Sequence, residues 1–478
     1  MPVEKKKWSK PPQFTPSVTM REIINANCCF EVDSPKFKWA PFIFDEMSLS
    51  SLLNIRLHKL TFAMTCPDKQ YAHWKINKRN RIVEAADGSK KVVRAYRNIS
   101  APKTLLKSIQ RRLCEEIYNK YPLPDYITGF RPGISCIETA RRHKHGETIL
   151  SYDIKDYFPS VTQRVLRWMH THILGYSWPV ANMLASLVTT KNVLEIPAKD
   201  KETREWKTYQ RDVVSLPQGS PASPVLSNII SSLTFGPDIA EFCKERNLTF
   251  TLYVDDVTIS TAKGQPALSR EEAFEIGCAV TKIVNKHGFY IKFEKSKIMQ
   301  ASRNPQMVMG ILVNDGLHVS KKTQYFRAIL HNVCTNGWYP EAAKWMKFTI
   351  DRLRKSTENE EDLAYQLTKI GFVDNQDLPI LEPNLKALNT IKLGSFLSWL
   401  RGNINWINQV DPRKGEPLVI RLKAACAQLK DDGNEGSSVF GPSYASYGGE
   451  LFDLDDAQGG LDSQPALEVH GGVEEFRV

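Results

Sequence analysis

The sequence contains no long apolar run. None of its 478 residues belongs to an uninterrupted stretch of about 18 uncharged apolar residues, the length that would indicate a membrane helix. The opening residues, Met-Pro-Val-Glu-Lys-Lys-Lys, are not followed by the apolar segment of a secretory signal. We therefore expect a cytoplasmic protein without a membrane segment.

Paired cysteine motifs are also missing. The nine cysteines are scattered along the chain, their number is odd, and none forms a Cys-x-x-Cys pair. Zinc ribbons depend on such pairs, and secreted disulfide frameworks usually have an even number of cysteines. The sequence argues against both and predicts reduced thiols.

Acids and bases are unevenly distributed. From residue 431 onward there are eleven acids and a single base, so this tail has a net charge of −10, which leaves +21 on residues 1–430 out of the chain's total of +11. A strongly basic body is typical of proteins that bind nucleic acid. The tail is rich in Gly, Ser, Asp and Glu, which predicts disorder in the free chain.

Three aspartates lie beside runs of strand-forming residues. Asp255 and Asp256 are flanked by β-branched and aromatic residues at 249–254 and 257–260, the pattern of a tight hairpin with acids at its turn. Asp153 ends a second apolar run. Two adjacent carboxylates repel each other, and a divalent cation such as Mg²⁺ relieves that repulsion. By itself, Asp-Asp after an apolar run is equally compatible with an ordinary polar turn.

A third stretch, Leu-Pro-Gln-Gly-Ser-Pro-Ala-Ser-Pro-Val-Leu-Ser-Asn at 216–228, lies between the two acidic stretches. Taken in order, residues 149–161, 216–228 and 253–256 resemble motifs A, B and C of a reverse transcriptase palm. The sequences of these motifs are similar to those of retron and other bacterial, defence-associated enzymes. The resemblance covers roughly residues 48–430. It implies an α+β right-hand polymerase with fingers, a palm built of an antiparallel sheet with helices, and a helical thumb.

The domain boundaries that we predict follow from this resemblance and from local composition. They are 1–47 for an N-terminal extension, 48–145 for fingers with part of the palm, 146–320 for the palm with a surface insertion near 191–211, 321–430 for the thumb, and 431–478 for the acidic tail. Within them, the pattern predicts one helix over 48–63, a hairpin around Asp87-Gly88, and a charged surface loop over 191–207.

The implied activity is RNA-directed DNA polymerisation, in which a primer hydroxyl attacks the α-phosphorus of a dNTP. Two Mg²⁺ ions ~3.5–4 Å apart stabilise the attacking and leaving oxygens, and carboxylates are the side chains best able to bridge them. By the resemblance, Asp153 and Asp255 are the bridging ligands and Asp256 lies close by. The backbone carbonyl of Ile154 supplies a further oxygen.

The resemblance also implies residues that contact the incoming nucleotide. Phe158 matches the bulky residue that would clash with a ribose 2′-hydroxyl and so favours dNTPs; its alternative role is an aromatic anchor behind the strand. Gln218 and Gly219 match the motif B segment beside the nascent base pair and template.

Basic residues of two further segments complete the predicted nucleotide site. Lys295 matches the motif D lysine that acts on the leaving pyrophosphate, with Lys292 and Lys297 near enough to compete for that role. Arg97 is the first choice for a triphosphate contact in the fingers, and Arg94 is the second.

Residues 129–135, Gly-Phe-Arg-Pro-Gly-Ile-Ser, resemble the loop before motif A. Two glycines suit a backbone that approaches a nucleic acid strand closely. The family often has a basic residue where this chain has Ile134, which leaves a phosphate-binding role for this loop open.

The predicted partners are an RNA template, most simply a structured non-coding RNA copied in antiphage defence, together with dNTPs and the DNA product. The sequence is compatible with oligomerisation but does not indicate it. Two other functions stay open: a template-independent or protein-primed polymerase, and a catalytically inactive RNA-binding scaffold. Tyr444 and Tyr447 in the tail are candidate priming nucleophiles, although a −10 tail equally suits shielding of the basic body or assembly.

Overall fold

The computed structural model describes residues 37–65, 67–77, 81–84, 90–93, 96–199, 206–319, 322–354 and 393–431. The chain divides into two compact units. One includes the chain up to Ile76, then Tyr96–Met309 and Val313–Asp315, and the other includes Asn77–Ala95, Gly310–Leu312 and the chain from Gly316 onward. Most of the predicted N-terminal extension and all of the acidic tail except Asp431 lie outside the described residues.

The first elements combine short helices with paired strands. In chain order they are α1 (Glu46–Leu52), α2 (Leu57–Thr65), β1 (Tyr71–Asn77), β2 (Arg81–Glu84), β3 (Lys90–Val93), β4 (Tyr96–Pro102), α3 (Thr104–Glu116) and α4 (Cys136–His143). Strand β1 pairs with β4, and β2 pairs antiparallel with β3, which confirms the hairpin predicted around Asp87-Gly88.

The single helix predicted over 48–63 is wrong, because the chain forms two helices there. Helix α1 begins two residues earlier than expected, capped by the Asp45 side chain, and it ends before Asn54, which has a left-handed φ of 47°. Left-handed backbone interrupts a right-handed helix, and asparagine is one of the few residues that adopts it readily. The apolar spacing continued across the break and therefore concealed it.

The next elements form a sheet with helices packed against it. They are β5 (Thr148–Lys155), α5 (Tyr157–Ser160), α6 (Gln163–Trp168), a π-helical turn (Met169–Ile173), α7 (Trp178–Val188), β6 (Thr190–Lys199), β7 (Trp206–Ser215), α8 (Ala222–Leu233), α9 (Phe235–Glu245), β8 (Leu248–Tyr253), β9 (Asp256–Thr261), α10 (Arg270–Lys286), β10 (Tyr290–Ile291) and β11 (Lys297–Gln300). The strand order is β10-β5-β9-β8, and β11 also pairs with β5; the pairings within this sheet are antiparallel. This arrangement confirms the α+β palm.

Helix α8 lies at the centre of this unit. All twelve of its residues are buried, including four serines and an asparagine. Buried polar groups are costly unless they are hydrogen-bonded, and here the serine hydroxyls donate to nearby backbone carbonyls, such as Ser223 to Pro217 at 2.7 Å and Ser231 to Ser227 at 2.9 Å. The small side chains therefore allow close packing on every side of the helix without unsatisfied hydroxyls.

The predicted surface loop over 191–207 is wrong in its secondary structure. Strands β6 and β7 form a long two-stranded antiparallel ribbon, with register pairs such as Val193 with Asp212 and Leu194 with Arg211. The ribbon is at the surface as expected, since Val193 is 46% exposed, and a Lys155–Glu195 ion pair of 3.0 Å ties it to β5. The charge of this stretch suggested a loop, whereas its β-branched residues and cross-strand pairing determine a ribbon.

The remaining elements are mostly helical. They are β12 (Met307–Val308), β13 (Ile311–Leu312), α11 (Lys322–Asn336), α12 (Trp338–Arg354), α13 (Leu393–Val410) and α14 (Pro412–Asp431). An aromatic cluster joins three of these helices, with Trp345 and Trp399 ring centroids 5.3 Å apart and Phe326 5.5 Å from Trp399. This confirms the helical character predicted for the thumb. Among the described helices, none combines the length and the apolar character that a membrane crossing requires.

Candidate active site

The three predicted acids come together at one end of the palm sheet. Asp153 is near the end of β5, and its register partner on β9 is Asp256. The backbone N–H of Ile154 donates to the carbonyl oxygen of Asp255 at 2.9 Å. Residues from two stretches about a hundred positions apart in sequence are therefore held side by side by backbone pairing, which does not depend on the side chains themselves.

Asp255 lies in a strained turn. Strands β8 and β9 are joined by the two residues Val254 and Asp255, and Val254 has a left-handed φ of 56°. A β-branched residue rarely adopts this conformation, and such backbone strain costs on the order of 1–3 kcal/mol. Strain of this kind persists only where the surroundings enforce it, and it is commonly found at functional sites.

Neighbouring backbone braces this turn from one side. Thr128 donates its N–H to the carbonyl of Leu252, and Gly129 lies so close that a Cβ there would be 2.8 Å from the nitrogen of Val254. The buried Asn228 amide of α8 donates to the carbonyl of Gly129 at 2.6 Å. The missing side chain of Gly129 thus makes room for the protein's own turn at Val254, a reason for glycine that the sequence did not indicate, and its approach to a nucleic acid strand stays a prediction.

The acids are in an electrostatically unfavourable environment. Burial, followed by the charge of Asp153, raises the pKa of Asp255 to about 6. Burial and the charges of Asp255 and Asp153 raise the pKa of Asp256 to about 7. These directions mean that the charged forms are poorly compensated by the protein alone, as expected where like charges converge in a partly desolvated site.

Lys295 is the basic side chain that contacts this cluster. Its Nζ donates to Oδ2 of Asp153 at 2.7 Å, from a short 3₁₀ turn at Phe293–Lys295. The backbone N–H of Lys292 donates to the carbonyl of Asp153 at 2.7 Å, and this bond joins the turn to β5. Of the three lysines predicted to compete, the structure therefore places Lys295 against one of the predicted acids, Asp153, while Lys297 lowers the pKa of Asp256 through its charge.

A divalent cation fits this donor set. Within the described ranges, no three His, Cys, Asp or Glu side chains form a ready-made metal cage. Mg²⁺ at nucleotide sites is typically held by one or two carboxylates together with water and substrate phosphates, so a protein cage is not required. Three carboxylates converge here and the charged forms of Asp255 and Asp256 are disfavoured, so a cation would relieve the repulsion between them.

Phe158 lies on α5, the short helix that follows β5. Its neighbour Tyr157 is the buried anchor, donating its hydroxyl to the carbonyl of Ser227 at 3.0 Å. Phe158 itself is half-buried, with its ring centroid 5.9 Å from that of Tyr157. Tyr157 therefore takes the fully buried anchoring position, while Phe158 packs against the edge of the core and stays partly exposed.

Gln218 and Gly219 are attached to the strand that contains Arg97. The N–H of Ser100 on β4 donates to the carbonyl of Gln218 at 2.8 Å, and Gly219 has a φ of 113° that favours glycine. A Cβ at Gly219 would be 3.0 Å from the Ile99 side chain. The positive charge of Arg97 acts to lower the pKa of Asp255, which associates this arginine electrostatically with the acidic cluster.

Several predicted residues are not placed by the structure. Arg94, Tyr444 and Tyr447 lie outside the described residues, so their roles stay predictions.

Sequence reasoning missed one buried residue that joins the fingers to motif B. Gln110 on α3 donates to the Tyr71 hydroxyl and to the Leu187 carbonyl, both at 2.9 Å, and it accepts a hydrogen bond from the Ser220 hydroxyl at 2.8 Å. A signal was present, because Gln110 occupies a core-facing position between Leu106 and Leu113. A polar residue at such a position predicts a buried hydrogen-bond network.

A family model matches this chain over a continuous range. The model described as reverse transcriptase (RNA-dependent DNA polymerase) matches residues 77–326, just over half of the chain. This range includes all three acids, Phe158, motif B and Lys295.

Curated relatives include several retron enzymes. Retron Mx65 reverse transcriptase of Myxococcus xanthus is 32% identical over 240 residues, which are 49% of this chain and 52% of that protein. Retron Mx162 reverse transcriptase of the same organism is 28% identical over 273 residues, or 56% and 51%. Retron Se72 reverse transcriptase of Salmonella heidelberg is 25% identical over 319 residues, or 66% and 73%. The chain thus spans about half the length of the first two relatives.

Solved structures that match include two telomerases. Apo telomerase from Candida tropicalis, truncated from its C-terminal domain, is 12% identical with a TM-score of 0.30, and the match covers 54% of this chain and 58% of that one. Telomerase from Candida albicans in complex with a fragment of telomeric RNA is 12% identical with a TM-score of 0.28, covering 76% and 70%. Similarity at this level adds nothing to the fold assignment.

Proposed function

This chain belongs to the reverse transcriptase family and is of the bacterial retron type, and from that premise we propose that it is an RNA-directed DNA polymerase. It extends a primer with dNTPs on an RNA template, and the template that we propose is an associated structured non-coding RNA. The observation that supports this activity best is the convergence of Asp153, Asp255 and Asp256 at one end of the palm sheet, with raised pKa values for the latter two.

Asp153, Asp255 and Asp256, with the carbonyl oxygen of Ile154, would hold two Mg²⁺ ions. When bound, these ions supply electrostatic stabilisation of the attacking and leaving oxygens. The protein contributes rigid placement, since β5–β9 pairing and the braced Val254 turn fix the carboxylates before substrate arrives. Preorganised groups of this kind need little rearrangement during the reaction.

The neighbouring residues bind and select the nucleotide. Phe158 would exclude a ribose 2′-hydroxyl by occupying its space. Gln218 and Gly219, fixed to β4, would lie along the nascent base pair. Arg97 would contact the triphosphate, and Lys295 would move from Asp153 to the leaving pyrophosphate. Each role rests on the family resemblance together with the positions described above.

The activity is tested with purified protein, an RNA template, an annealed labelled primer and the four dNTPs. We expect Mg²⁺-dependent extension whose product is complementary to the RNA and is lost when the template is digested with RNase beforehand. Extension without a template would instead favour a template-independent polymerase, and RNA binding without extension would favour a scaffold. A product that is released only by protease would indicate protein priming.

The template and the biological role need separate experiments. Sequencing the nucleic acid that copurifies with the protein should return one dominant RNA joined or paired to its DNA copy. For antiphage defence, which we propose from the retron type alone, cells that express the chain with its native flanking genes should plate phage less efficiently than cells with an Asp255→Asn variant. Equal plating across a broad phage panel would refute the defence role but not the polymerase.

A further inference from the structure

Phe158 is placed by a very short helix. Helix α5 has only the four residues Tyr157–Ser160, and it follows Asp156, whose φ of 45° is left-handed. A single helical turn is not stable by itself, because starting a helix costs more than one turn returns. The position of the Phe158 ring therefore depends on the Tyr157 anchor and on whatever holds the chain on either side of α5.

The base of the β6–β7 ribbon holds the segment that follows α5. The N–H of Leu216 donates to the carbonyl of Val161 at 3.0 Å, and Thr162 forms an antiparallel bridge with Ser215. The Asn192 side chain of β6 donates to the Ser215 hydroxyl at 2.9 Å, which joins the two strands at this base. The end of α5 is thus attached to the ribbon by backbone pairing.

An ion pair in turn holds the ribbon against the palm sheet. Lys155 is the last residue of β5, and its backbone is fixed by pairing with Tyr290 of β10. Its Nζ is 3.0 Å from Oε2 of Glu195 on β6. The hydrogen bond from Lys155 is the main cause that lowers the pKa of Glu195, so this carboxylate is charged at neutral pH.

The segment with Phe158 is therefore held between two supports. The sheet fixes its beginning through Lys155, and the ribbon fixes its end at Val161 and Thr162. The Lys155–Glu195 pair joins these two supports through side chains. Weakening this pair would loosen the ribbon relative to the sheet while the backbone pairing of each stays intact.

We infer that Glu195 is a positioning residue for sugar selection: it holds the β6–β7 ribbon to Lys155, and the ribbon keeps the Phe158 ring where a ribose 2′-hydroxyl would lie. This inference rests on the proposed function, which gives Phe158 its role. It extends selection to a residue outside the set predicted to contact the nucleotide.

The first measurement is the ratio of kcat/KM for a dNTP to that for the matching NTP on one primer–template. Glu195→Gln keeps the size of the side chain and removes its charge. The ratio should fall about two- to fivefold, in line with the strength of partly exposed ion pairs. The fall should come from more efficient use of the NTP, with kcat for the dNTP nearly unchanged, whereas general damage to the fold would lower both efficiencies together.

Two combined variants test the route of the effect. Lys155→Met should reproduce the lower ratio, and adding Glu195→Gln to it should change the ratio no further, as expected for two residues that act through one contact. In a Phe158→Ala background, Glu195→Gln should leave the ratio unchanged, because the ring that it positions is gone.

The ribbon itself offers a matched control. Asp212 lies on β7 opposite Val193, so it projects from the same face of the ribbon as Glu195, and it is exposed. No salt bridge joins Asp212 to another of the described residues. Asp212→Asn removes the same charge as Glu195→Gln and should leave the ratio as in wild type. Thermal unfolding of each variant checks that the fold is intact.

Amide hydrogen exchange tests the placement without any nucleotide. Peptides that include residues 156–162 should exchange about two- to fivefold faster in Glu195→Gln than in wild type, because local opening becomes easier. Peptides from β9 should be unchanged. Asp212→Asn should match wild type in both regions.

Four outcomes would overturn the inference. They are an unchanged ratio in folded Glu195→Gln, an equal fall in Asp212→Asn, an equal fall in the Phe158→Ala background, and unchanged exchange of residues 156–162. In each of them the wild-type protein still extends its primer, so the polymerase assignment stands. Failure of the proposed function would appear differently, as a wild-type protein that extends the primer with neither nucleotide.

Discussion

At the end of the palm sheet, three aspartates converge, Lys295 contacts Asp153, and the charged forms of Asp255 and Asp256 are disfavoured. Along helix α3, the side chains of Lys103, Lys107 and Arg111 are exposed. They form no ion pair among the described residues. The aspartates are fixed by β pairing and by a strained turn, while the cations project from a regular helix. The converging carboxylates are thus placed where burial and like charge disfavour their charged forms, whereas the exposed cations of α3 incur little electrostatic cost.

The largest expected effect comes from removing the acids. Asp255→Asn with Asp256→Asn should reduce Mg²⁺-dependent dNTP incorporation by about a thousandfold or more, since several kcal/mol of transition-state stabilisation are lost. Single-turnover extension measures this effect, and Asp315→Asn, an exposed acid elsewhere, is the control. Near wild-type incorporation by the double variant would remove the metal-site assignment.

The same substitution should stabilise the metal-free fold at neutral pH. A carboxyl whose pKa is raised on folding destabilises the native state as pH rises from the ordinary value of about 4 toward the folded value, here about 6 and about 7. In chelator at pH 8, the variant should therefore unfold at a higher temperature than wild type, and the difference should shrink near pH 4. A less stable variant at pH 8 would show that these acids support the fold.

A smaller effect is expected on sugar selection beside the acids. Phe158→Ala should lower the ratio of dNTP to NTP efficiency by about 10–200-fold, because a 2′-hydroxyl would no longer meet the ring. The measurement is kcat/KM for matched nucleotides on one primer–template. Phe274→Ala, whose ring is 70% exposed on α10, is the control and should leave the ratio unchanged. An unchanged ratio in folded Phe158→Ala would assign selection to another residue.

The Lys295–Asp153 contact should have a modest effect on cation binding. Its lysine side chain is 51% exposed, so the pair is worth little, on the order of 0.2–1 kcal/mol. Lys295→Met should therefore tighten Mn²⁺ binding to the substrate-free protein by about two- to fivefold, as measured by electron paramagnetic resonance. Lys297→Met removes an equal charge that also acts on Asp256 but does not contact Asp153, so it should tighten binding less. Equal effects would mean that the direct contact is unimportant.

A separate effect, on stability alone, concerns a buried histidine that packs against strands β8 and β9. Buried His143 is hydrogen-bonded to Ser260 and Thr251, and burial lowers its pKa to about 3. Its contribution to stability is present above the unfolded pKa of about 6.5 and is lost as pH falls toward 3, by up to about 1.4 kcal/mol per pH unit. The difference in unfolding free energy between wild type and His143→Gln, measured from pH 7 to pH 4, should shrink accordingly. A constant difference would mean that His143 does not titrate on unfolding.

Much of the palm could be predicted because its signals are local. β-branched runs around Asp153 and Asp255–Asp256 indicate strands, and Ser269 with Glu272 caps α10 as a serine and glutamate at that spacing should. The errors arose where two local signals conflicted. Apolar spacing ran through the break at Asn54, and charge outweighed β propensity in the 190–215 ribbon.

The sequence by itself determined the order of the acids, the strands that contain them and the basic character of the body, because these depend on neighbouring residues and composition. Only the tertiary structure decided that Lys295, 142 positions away, contacts Asp153, that Gly129 makes room for the Val254 turn, and that Gln110 joins α3 to motif B. Such contacts depend on how sheet and helices pack, and no periodicity within a single segment encodes the distance between two segments.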